Sequence, residues 1–151
     1  MSLQKVHVSP FTVMGFTART TNKEELSGVS RIGELWQRLM TGGQGPVAGD
    51  DESIFSVYTN YESDENGAYD VILGKRATQE QLPGNELRKA VHIPGGDYVV
   101  FPAANATADG IKAAWQDVYR YFATATDFRR AYSADFEKHS AEGVQLFIAV
   151  Q

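Results

Sequence analysis

The order of secondary-structure signals in this sequence is repeated, and such a repeat limits the folds that the chain can adopt. Two stretches carry apolar residues at helical spacing: one runs from about Val29 to Met40, and the other starts after an Asp109 cap. Alternation of apolar and polar residues predicts strands around these helices, at Val6–Phe16, Ile54–Tyr61, Tyr69–Leu73, Val91–Phe101, Ala131–Phe136 and Val144–Val150. The elements therefore follow the order β-α-β-β twice.

Residues at matching places in the two halves are also similar. Three pairs occur in the same order: Val6-His7-Val8 with Val91-His92-Ile93, Leu35-Trp36-Gln37 with Ala114-Trp115-Gln116, and Tyr61-Glu62 with Phe136-Glu137. Agreement in both element order and residue content indicates an internal duplication. The repeats cover approximately 3–75 and 86–151.

The duplication predicts the architecture. One β-α-β-β unit has a single helix for its sheet, so a second unit must pack with it to complete the core. We therefore expect a single α+β domain over 1–151, with duplicated β-α-β-β modules, pseudo-two-fold symmetry, an antiparallel sheet and two main helices. Ligand pockets are common where two units pack. A ligand groove is expected at the boundary between the repeats, called the seam below.

Charge and residue content argue against several classes of function. The net charge is −5 and the basic residues are scattered, which argues against direct binding of nucleic acid. With no Cys and three well-separated His, the sequence predicts no metal site, and we expect no cofactor. No apolar run is long enough for a membrane span and no secretory signal opens the chain, which predicts a cytoplasmic protein that does not contact membranes.

Four sequence motifs, in their order along the chain, resemble the gyrase-inhibitory-protein-like (GyrI-like), or AraC-type effector-binding, domain of bacterial multidrug-sensing regulators. The motifs are V-H-V-S-P-F-T-V-M-G-F near the start, I-P-G-G-D-Y-V-V-F-P at Ile93–Pro102, A-A-W-Q-D-V-Y at Ala113–Tyr119, and D-F-E-K-H at Asp135–His139. The resemblance covers nearly the whole chain. It implies two β-α-β-β modules with a ligand groove between them, and a groove glutamate that meets cationic, planar molecules.

The family's groove glutamate corresponds to Glu137 of the D-F-E-K-H motif. Its apparent echo at Glu62 places both acids near equivalent points of the seam, and we expect Glu62 to be the exposed one. Without the resemblance, we would expect Glu137 to be a solvated surface acid, as most glutamates are. Two departures from the family are His139, where tyrosine is frequent, and the lack of a helix-turn-helix before Val6, so a complete regulator is not expected in this chain.

Six further residues are candidates for lining the groove. Trp36 and Trp115 occupy matching helical positions, where core packing is the alternative to stacking on a planar cation. Trp36 is preferred as a ligand contact because it precedes the Gly- and Pro-rich loop 41–52. Strand alternation puts Tyr58 on a mixed face, with Ile54, Ser56, Asn60 and Glu62 rather than with Phe55, Val57, Thr59 and Tyr61. The remaining candidates, which are core residues unless the seam is open at their depth, are Phe101, Phe147 and Met14.

These residues support three functional hypotheses. The first is a module that binds a cationic, amphipathic or aromatic ligand, buries its body among the rings and pairs its charge with Glu137. The second, implied by the resemblance, is a hydrolase of strained electrophilic natural products in which Glu137 and Tyr58 position water, so enzyme activity stays open. The third is a protein-interaction role, such as gyrase inhibition or action with a separate DNA-binding protein.

Overall fold

The computed structural model describes residues 5–26, 31–41, 53–63, 67–76, 89–105, 107–124, 128–140 and 143–151. Within these ranges the chain forms strands and helices in the order β1 (Lys5–Val8), β2 (Phe11–Thr21), α1 (Asn22–Leu26), α2 (Arg31–Thr41), β3 (Ile54–Thr59), β4 (Ala68–Arg76), β5 (Lys89–Ile93), β6 (Gly96–Pro102), α3 (Ala108–Thr124), β7 (Ala134–Ser140) and β8 (Gly143–Ala149).

The strands form one antiparallel sheet in the order β1-β6-β8-β7-β3-β4-β2-β5. If β1, β2, β3 and β4 are exchanged with β5, β6, β7 and β8, respectively, the same strand order results when it is listed from the other edge of the sheet. The sheet therefore has a two-fold arrangement whose axis passes between β3 and β7, and the expected duplicated α+β fold is confirmed.

Each repeat gives its first strand to the other repeat. The runs predicted as single strands are interrupted, the first at residues 9–10 and the second at 94–95. Beyond these interruptions β1 pairs with β6 and β5 pairs with β2. Gly95 permits the close contact between the interruptions, because a Cβ there would lie 2.7 Å from Pro10 Cδ and 2.9 Å from the Val8 carbonyl oxygen. Neither repeat completes its sheet without the other.

The two longer helices cover the two ends of one face of the sheet. Helix α2 packs on β2 and β4, and α3 packs on β6 and β8. The two central strands lie between these helices, so their side chains on this face form the floor of the seam. The opposite face of the curled sheet encloses a separate hydrophobic core, which includes Phe11, Phe55, Tyr98 and Phe136.

Several local predictions are wrong in detail. Helix α3 is capped by Thr107, whose Oγ1 accepts a hydrogen bond from the Gly110 N–H at 3.1 Å, and not by Asp109. The strand predicted at Ala131–Phe136 begins and ends later, as β7, and helix α1 was not predicted. Residues 42–52, the greater part of the predicted loop 41–52, lie outside the described residues.

Alternation holds along β3 and fails just after it. Ile54 and Tyr58 lie on the helix face, while Phe55 and Val57 lie on the opposite face, as predicted. Asn60 then adopts a left-handed conformation with φ 51°, which ends the alternation. Tyr61 consequently packs on the helix face and not beside Phe55. Among the described residues, no helix is both long and apolar enough to cross a membrane.

Candidate functional site

Glu137 lies in the floor of the seam, in the middle of β7. Its side chain is 5% exposed, and its cross-strand neighbours are Ser56 on β3 and Leu146 on β8. Glu62, by contrast, is exposed and follows the end of β3, so the predicted equivalence of Glu62 and Glu137 is wrong. The expectation that Glu62 is the exposed acid of the two agrees with the structure.

The true equivalences follow from the hydrogen-bonded ladders. In the first repeat, Phe16 lies opposite Leu73, which lies opposite Ser56. In the second repeat, Phe101 lies opposite Leu146, which lies opposite Glu137. Ser56 is therefore the two-fold mate of Glu137, and because the two are also cross-strand partners, the axis passes between them.

Three side chains converge on the Glu137 carboxylate. The Tyr58 hydroxyl and the Trp115 Nε1–H each donate a hydrogen bond to Oε2, both at 2.6 Å. His139 Nε2 lies 2.8 Å from Oε1 and donates to it when that nitrogen carries a proton. These donors come from β3, α3 and β7, so both repeats hold the carboxylate in place. Hydrogen bonds to an ionised acceptor are stronger than neutral ones.

The aromatic side chains around Glu137 follow the same two-fold axis. Tyr58 and His139 lie two residues after Ser56 and Glu137 on the two central strands, so they are also two-fold mates. Trp115 on α3 and Trp36 on α2 form a further pair of mates. The Tyr58 and Trp115 rings meet edge to face with centroids 5.1 Å apart, and the His139 and Trp36 rings do so at 4.8 Å. Each pair joins a strand of one repeat to a helix of the other.

Tyr58 remains a neutral donor at ordinary pH. Its side chain is 7% exposed. Burial, followed by the charge of Glu137 and the hydrogen bond to it, raises the pKa of Tyr58 well above its usual value near 10. The phenol therefore keeps the proton that it donates to Glu137 throughout the physiological pH range.

The charge of Glu137 has no permanent partner in the part of the chain that the structure describes. Its one ion-pair contact there is with His139, whose charge depends on pH. Asp135, two residues earlier on the same strand face, is paired with Arg130 at 2.7 Å and accepts further hydrogen bonds from Tyr61 and from the Ala149 backbone N–H. Of these two buried acids, Glu137 is the one that lacks an Arg or Lys.

The other predicted lining residues are not brought to the carboxylate. Met14 is fully buried and Phe101 packs under α3 with Tyr121 and Phe122. Phe147 lies on the opposite face of the sheet, stacked on Phe136 with centroids 4.7 Å apart. Alternation places Phe147 there because its neighbour Leu146 faces α3 with the rest of that core.

Residues that the sequence reasoning did not assign to the site also surround it. His139 is a direct contact of Glu137, and the i, i+2 spacing of the two on one strand was the signal for it. Tyr69 packs on Tyr58 at 5.7 Å and donates a hydrogen bond to Asn22, whose side chain in turn donates to the Tyr119 hydroxyl. Asn22 thus links the repeats at one end of the seam.

The prediction of no metal site remains a prediction, although the described residues contain no cluster of three or more potential metal ligands. A surface depression lies between the end of β6 and the first half of α3, lined by Pro102, Ala103, Ala104, Gly110, Ala113, Ala114 and Asp117. Its one acid, Asp117, is exposed and paired with Arg120 at 3.1 Å.

The two-fold α+β fold and the match to a family model define the class of protein: it is an effector-binding domain, which confirms the resemblance seen in the sequence. Residues 6–150 match the Cass2 family model, described as integron-associated effector binding protein. The chain belongs to this family.

Similar proteins include two solved structures and one curated relative. The integron cassette protein VCH_CASS2, from the mobile metagenome of Vibrio cholerae, is 30% identical with a TM-score of 0.80, covering 99% of this chain and 95% of that one. SAV2435, solved with bound tetraphenylphosphonium, has a TM-score of 0.72 and covers 100% and 94%, but its 15% identity supports the fold alone. YobU of Bacillus subtilis (strain 168), whose name assigns it provisionally to the transcriptional regulators, is 26% identical across 91% of this chain and 90% of its own length.

Proposed function

We propose that this domain binds small cations with an aromatic or apolar body at the seam, and that Glu137 pairs the positive charge. The observation that carries this proposal is the Glu137 carboxylate, whose side chain is 5% exposed, oriented by donors from both repeats and without an Arg or Lys partner among the described residues. A buried charge is costly unless it is compensated. A ligand cation provides that compensation.

The rings around Glu137 suit the body of such a ligand. Tyr58 and Trp115 contact the carboxylate, and Trp36 packs on its neighbour His139. A cation near an aromatic face gains about 0.5–2 kcal/mol depending on desolvation. In the free protein these rings cover Glu137, so ligand entry requires them to move. The ligand then replaces ring-to-ring contacts with ring-to-ligand contacts.

The relatives are consistent with this proposal. SAV2435 has the same fold and was solved with the organic cation tetraphenylphosphonium. This cation is therefore a suitable first probe for the present chain. YobU's name points to a role in transcription, and we extend the proposal to an effector-sensing domain that acts in the cytoplasm on a DNA-binding partner.

Titration of the intrinsic tryptophan fluorescence with tetraphenylphosphonium tests the proposal, since both tryptophans lie at the site. We expect Glu137→Gln to weaken binding by about 30-fold or more, because removal of one member of a buried charge pair costs about 2–5 kcal/mol. Glu62→Gln is the matched control, because Glu62 is exposed and away from the site, and it should bind as the original chain does. Equal binding by the Glu137→Gln variant would exclude the charge-pairing role.

Hydrolysis of a strained electrophile is the second candidate function. The 2.6 Å hydrogen bond between Tyr58 and Glu137 favours it, since a carboxylate beside a neutral phenol suits a general base and a hydrogen-bond donor to the electrophile. Incubation with a reactive epoxide or cyclopropane, followed by mass spectrometry, separates the two functions. Repeated turnover supports the hydrolase, and stoichiometric binding without a hydrated product supports the binding module alone.

A further inference from the structure

His139 occupies the position beside Glu137 that a ligand cation would need. Its Nε2 is 2.8 Å from Glu137 Oε1, and the two side chains are 15% and 5% exposed. The Trp36 ring closes over the imidazole at a centroid distance of 4.8 Å. An imidazolium here would be a cation held by a carboxylate and an aromatic ring, which is the environment proposed for the ligand.

In the part of the chain that the structure describes, a single charged side chain contacts His139. Its cross-strand neighbours are Ile54 on β3 and Val144 on β8, and its contact from α2 is Trp36; none of these side chains carries a charge. Glu137 is the charged group in contact with the ring, and the neutral Tyr58 hydroxyl reaches the other oxygen of the same carboxylate. Protonation of His139 therefore neutralises Glu137 directly.

We propose that His139 is the internal cation of this site, and that its protonation and the binding of a ligand cation exclude each other. This inference rests on the proposed function. When His139 is protonated, a second cation would enter a site whose charge is already balanced, and it would meet a like charge beside it. Binding of a permanent cation then releases the imidazole proton, and the site selects such cations more strongly as the pH rises.

The two-fold mate of His139 shows what the histidine adds. Tyr58 donates to the same carboxylate from the equivalent position but stays neutral, since burial raises its pKa well above the usual value. Two tyrosines would orient Glu137 without competing for its charge. The exchange of one phenol for an imidazole makes the affinity of the site depend on pH.

The experiment measures the dissociation constant of tetraphenylphosphonium between about pH 5.5 and 8.5, a range that spans the ordinary pKa of histidine. The probe has no titrating group, so every pH effect comes from the protein. If protonation of His139 fully excludes the probe, binding weakens by about tenfold for each unit of pH across the range in which the imidazole is protonated. Calorimetry in two buffers of different ionisation enthalpy should also show proton release on binding in that range.

Two variants distinguish His139 from Glu137 as the source of any pH effect. His139→Tyr restores the neutral donor of the two-fold mate, and His139→Gln keeps a donor of similar reach without titration. Both should bind with an affinity that hardly changes between about pH 6 and 8.5, and both should bind without proton release. His92→Gln, in an exposed strand at the sheet edge, is the control and should retain the pH dependence of the original chain.

The outcomes separate the two proposals. Binding at high pH that weakens on acidification in the original chain, but not in the two His139 variants, supports the competition. Binding that is independent of pH, or a dependence that persists in both variants and so comes from Glu137 itself, overturns it and leaves the proposed function standing. Lack of binding at every pH overturns both.

Discussion

Tyr58 and His139 are two-fold mates, and both lie within hydrogen-bond distance of the same carboxylate, that of Glu137. Glu137 lies beside the axis, opposite its own mate Ser56, so a single acid is shared by donors of both repeats. Two glutamates at these positions would face each other across the central strands, where like charges destabilise a sheet. Divergence of the repeats at this pair leaves one charge at the centre of the seam.

The asymmetry has a consequence for stability as well as for binding. A carboxylate with three donors is well oriented, but loss of any donor leaves a buried acceptor incompletely satisfied. The Ser56 hydroxyl is already buried without a hydrogen-bond partner among the described residues. Polar groups at the centre of the seam are therefore sensitive to substitution.

Tyr58→Phe should destabilise the protein by about 1.5–3 kcal/mol, the range for a hydrogen bond to a charged group. The ring contacts survive, while Glu137 Oε2 loses the donor at 2.6 Å. Urea denaturation gives the change in the free energy of unfolding. Tyr98→Phe is the control, because that hydroxyl lies 3.4 Å from the Pro94 carbonyl oxygen and its loss should matter less. A Tyr58→Phe variant as stable as the control would contradict the role of this hydrogen bond.

The tyrosines should make the folded state sensitive to alkali. Burial raises the pKa of Tyr98 to about 12, and it also raises the pKa values of Tyr58, Tyr61 and Tyr69 well above their usual value near 10. The unfolded chain loses these protons near pH 10. Their contribution to stability is therefore present in full below about pH 10 and is lost as the pH rises toward the folded-state values.

Spectrophotometric titration of phenolate absorbance checks this expectation. In the folded protein these four tyrosines should remain unionised at about pH 11 and then ionise together with unfolding. In denaturant the chain's seven tyrosines should ionise near their ordinary pKa. Titration of all of them near pH 10 while the circular dichroism stays native would disprove the burial argument.

The fold was predictable because duplication and alternation are local signals. The strand order could not be read from them, since exchange of β1 and β5 between repeats is a tertiary pairing that depends on the interruptions at 9–10 and 94–95. Glu137 came from a family motif. The predicted equivalence of Glu62 and Glu137 was wrong because similar residues at the ends of two strands do not fix the register of those strands. The register is defined by the cross-strand pairs, in which Phe16 lies opposite Leu73 and Leu73 lies opposite Ser56.

The aromatic part of the site divides in the same way. The matching positions of Trp36 and Trp115 in the two helices predicted that both lie at the seam, and strand alternation predicted the correct face for Tyr58. The sequence predicts Phe101 and Phe147 to be core residues unless the seam is open at their depth. Strand pairing, which the sequence does not specify, places Phe101 in the core under α3 and Phe147 on the opposite face of the sheet. The face of the sheet on which Phe147 lies could have been predicted from alternation, because its neighbour Leu146 must lie on the other face.

The buried ion pair of Arg130 and Asp135 should be far more sensitive than an exposed pair. Asp135 is 0% exposed and lies 2.7 Å from the guanidinium, so Arg130→Met should lower stability by about 3–5 kcal/mol, because it leaves a buried carboxylate without its counter-charge. Arg120→Met, which breaks an exposed pair with Asp117, should change little. Adding Asp135→Asn to Arg130→Met should recover part of the loss; a double variant that is less stable than Arg130→Met would contradict the charge argument.

The two tryptophans give the last prediction, because they are two-fold mates with different polar contacts. Trp115 donates its indole N–H to Glu137 Oε2 at 2.6 Å, whereas Trp36 contacts His139 through its ring. Trp115→Phe therefore removes a donor from a buried carboxylate and should lower stability by about 1.5–3 kcal/mol beyond the loss of packing. Trp36→Phe keeps an aromatic edge over the imidazole and should cost less.

Urea denaturation followed by circular dichroism compares the two variants on one scale, and the remaining tryptophan in each serves as a local fluorescence probe. Both substitutions shorten the side chain in the same way, so each is the matched control for the other. The contacts with Tyr58 and His139 are related by the same axis, and Trp115 has a further ring contact with Tyr119 at 6.1 Å. A loss for Trp115→Phe that exceeds the loss for Trp36→Phe by more than this one contact assigns the difference to the hydrogen bond. Equal losses would mean that ring packing alone decides the stability of the seam, and that Glu137 does not depend on its indole donor.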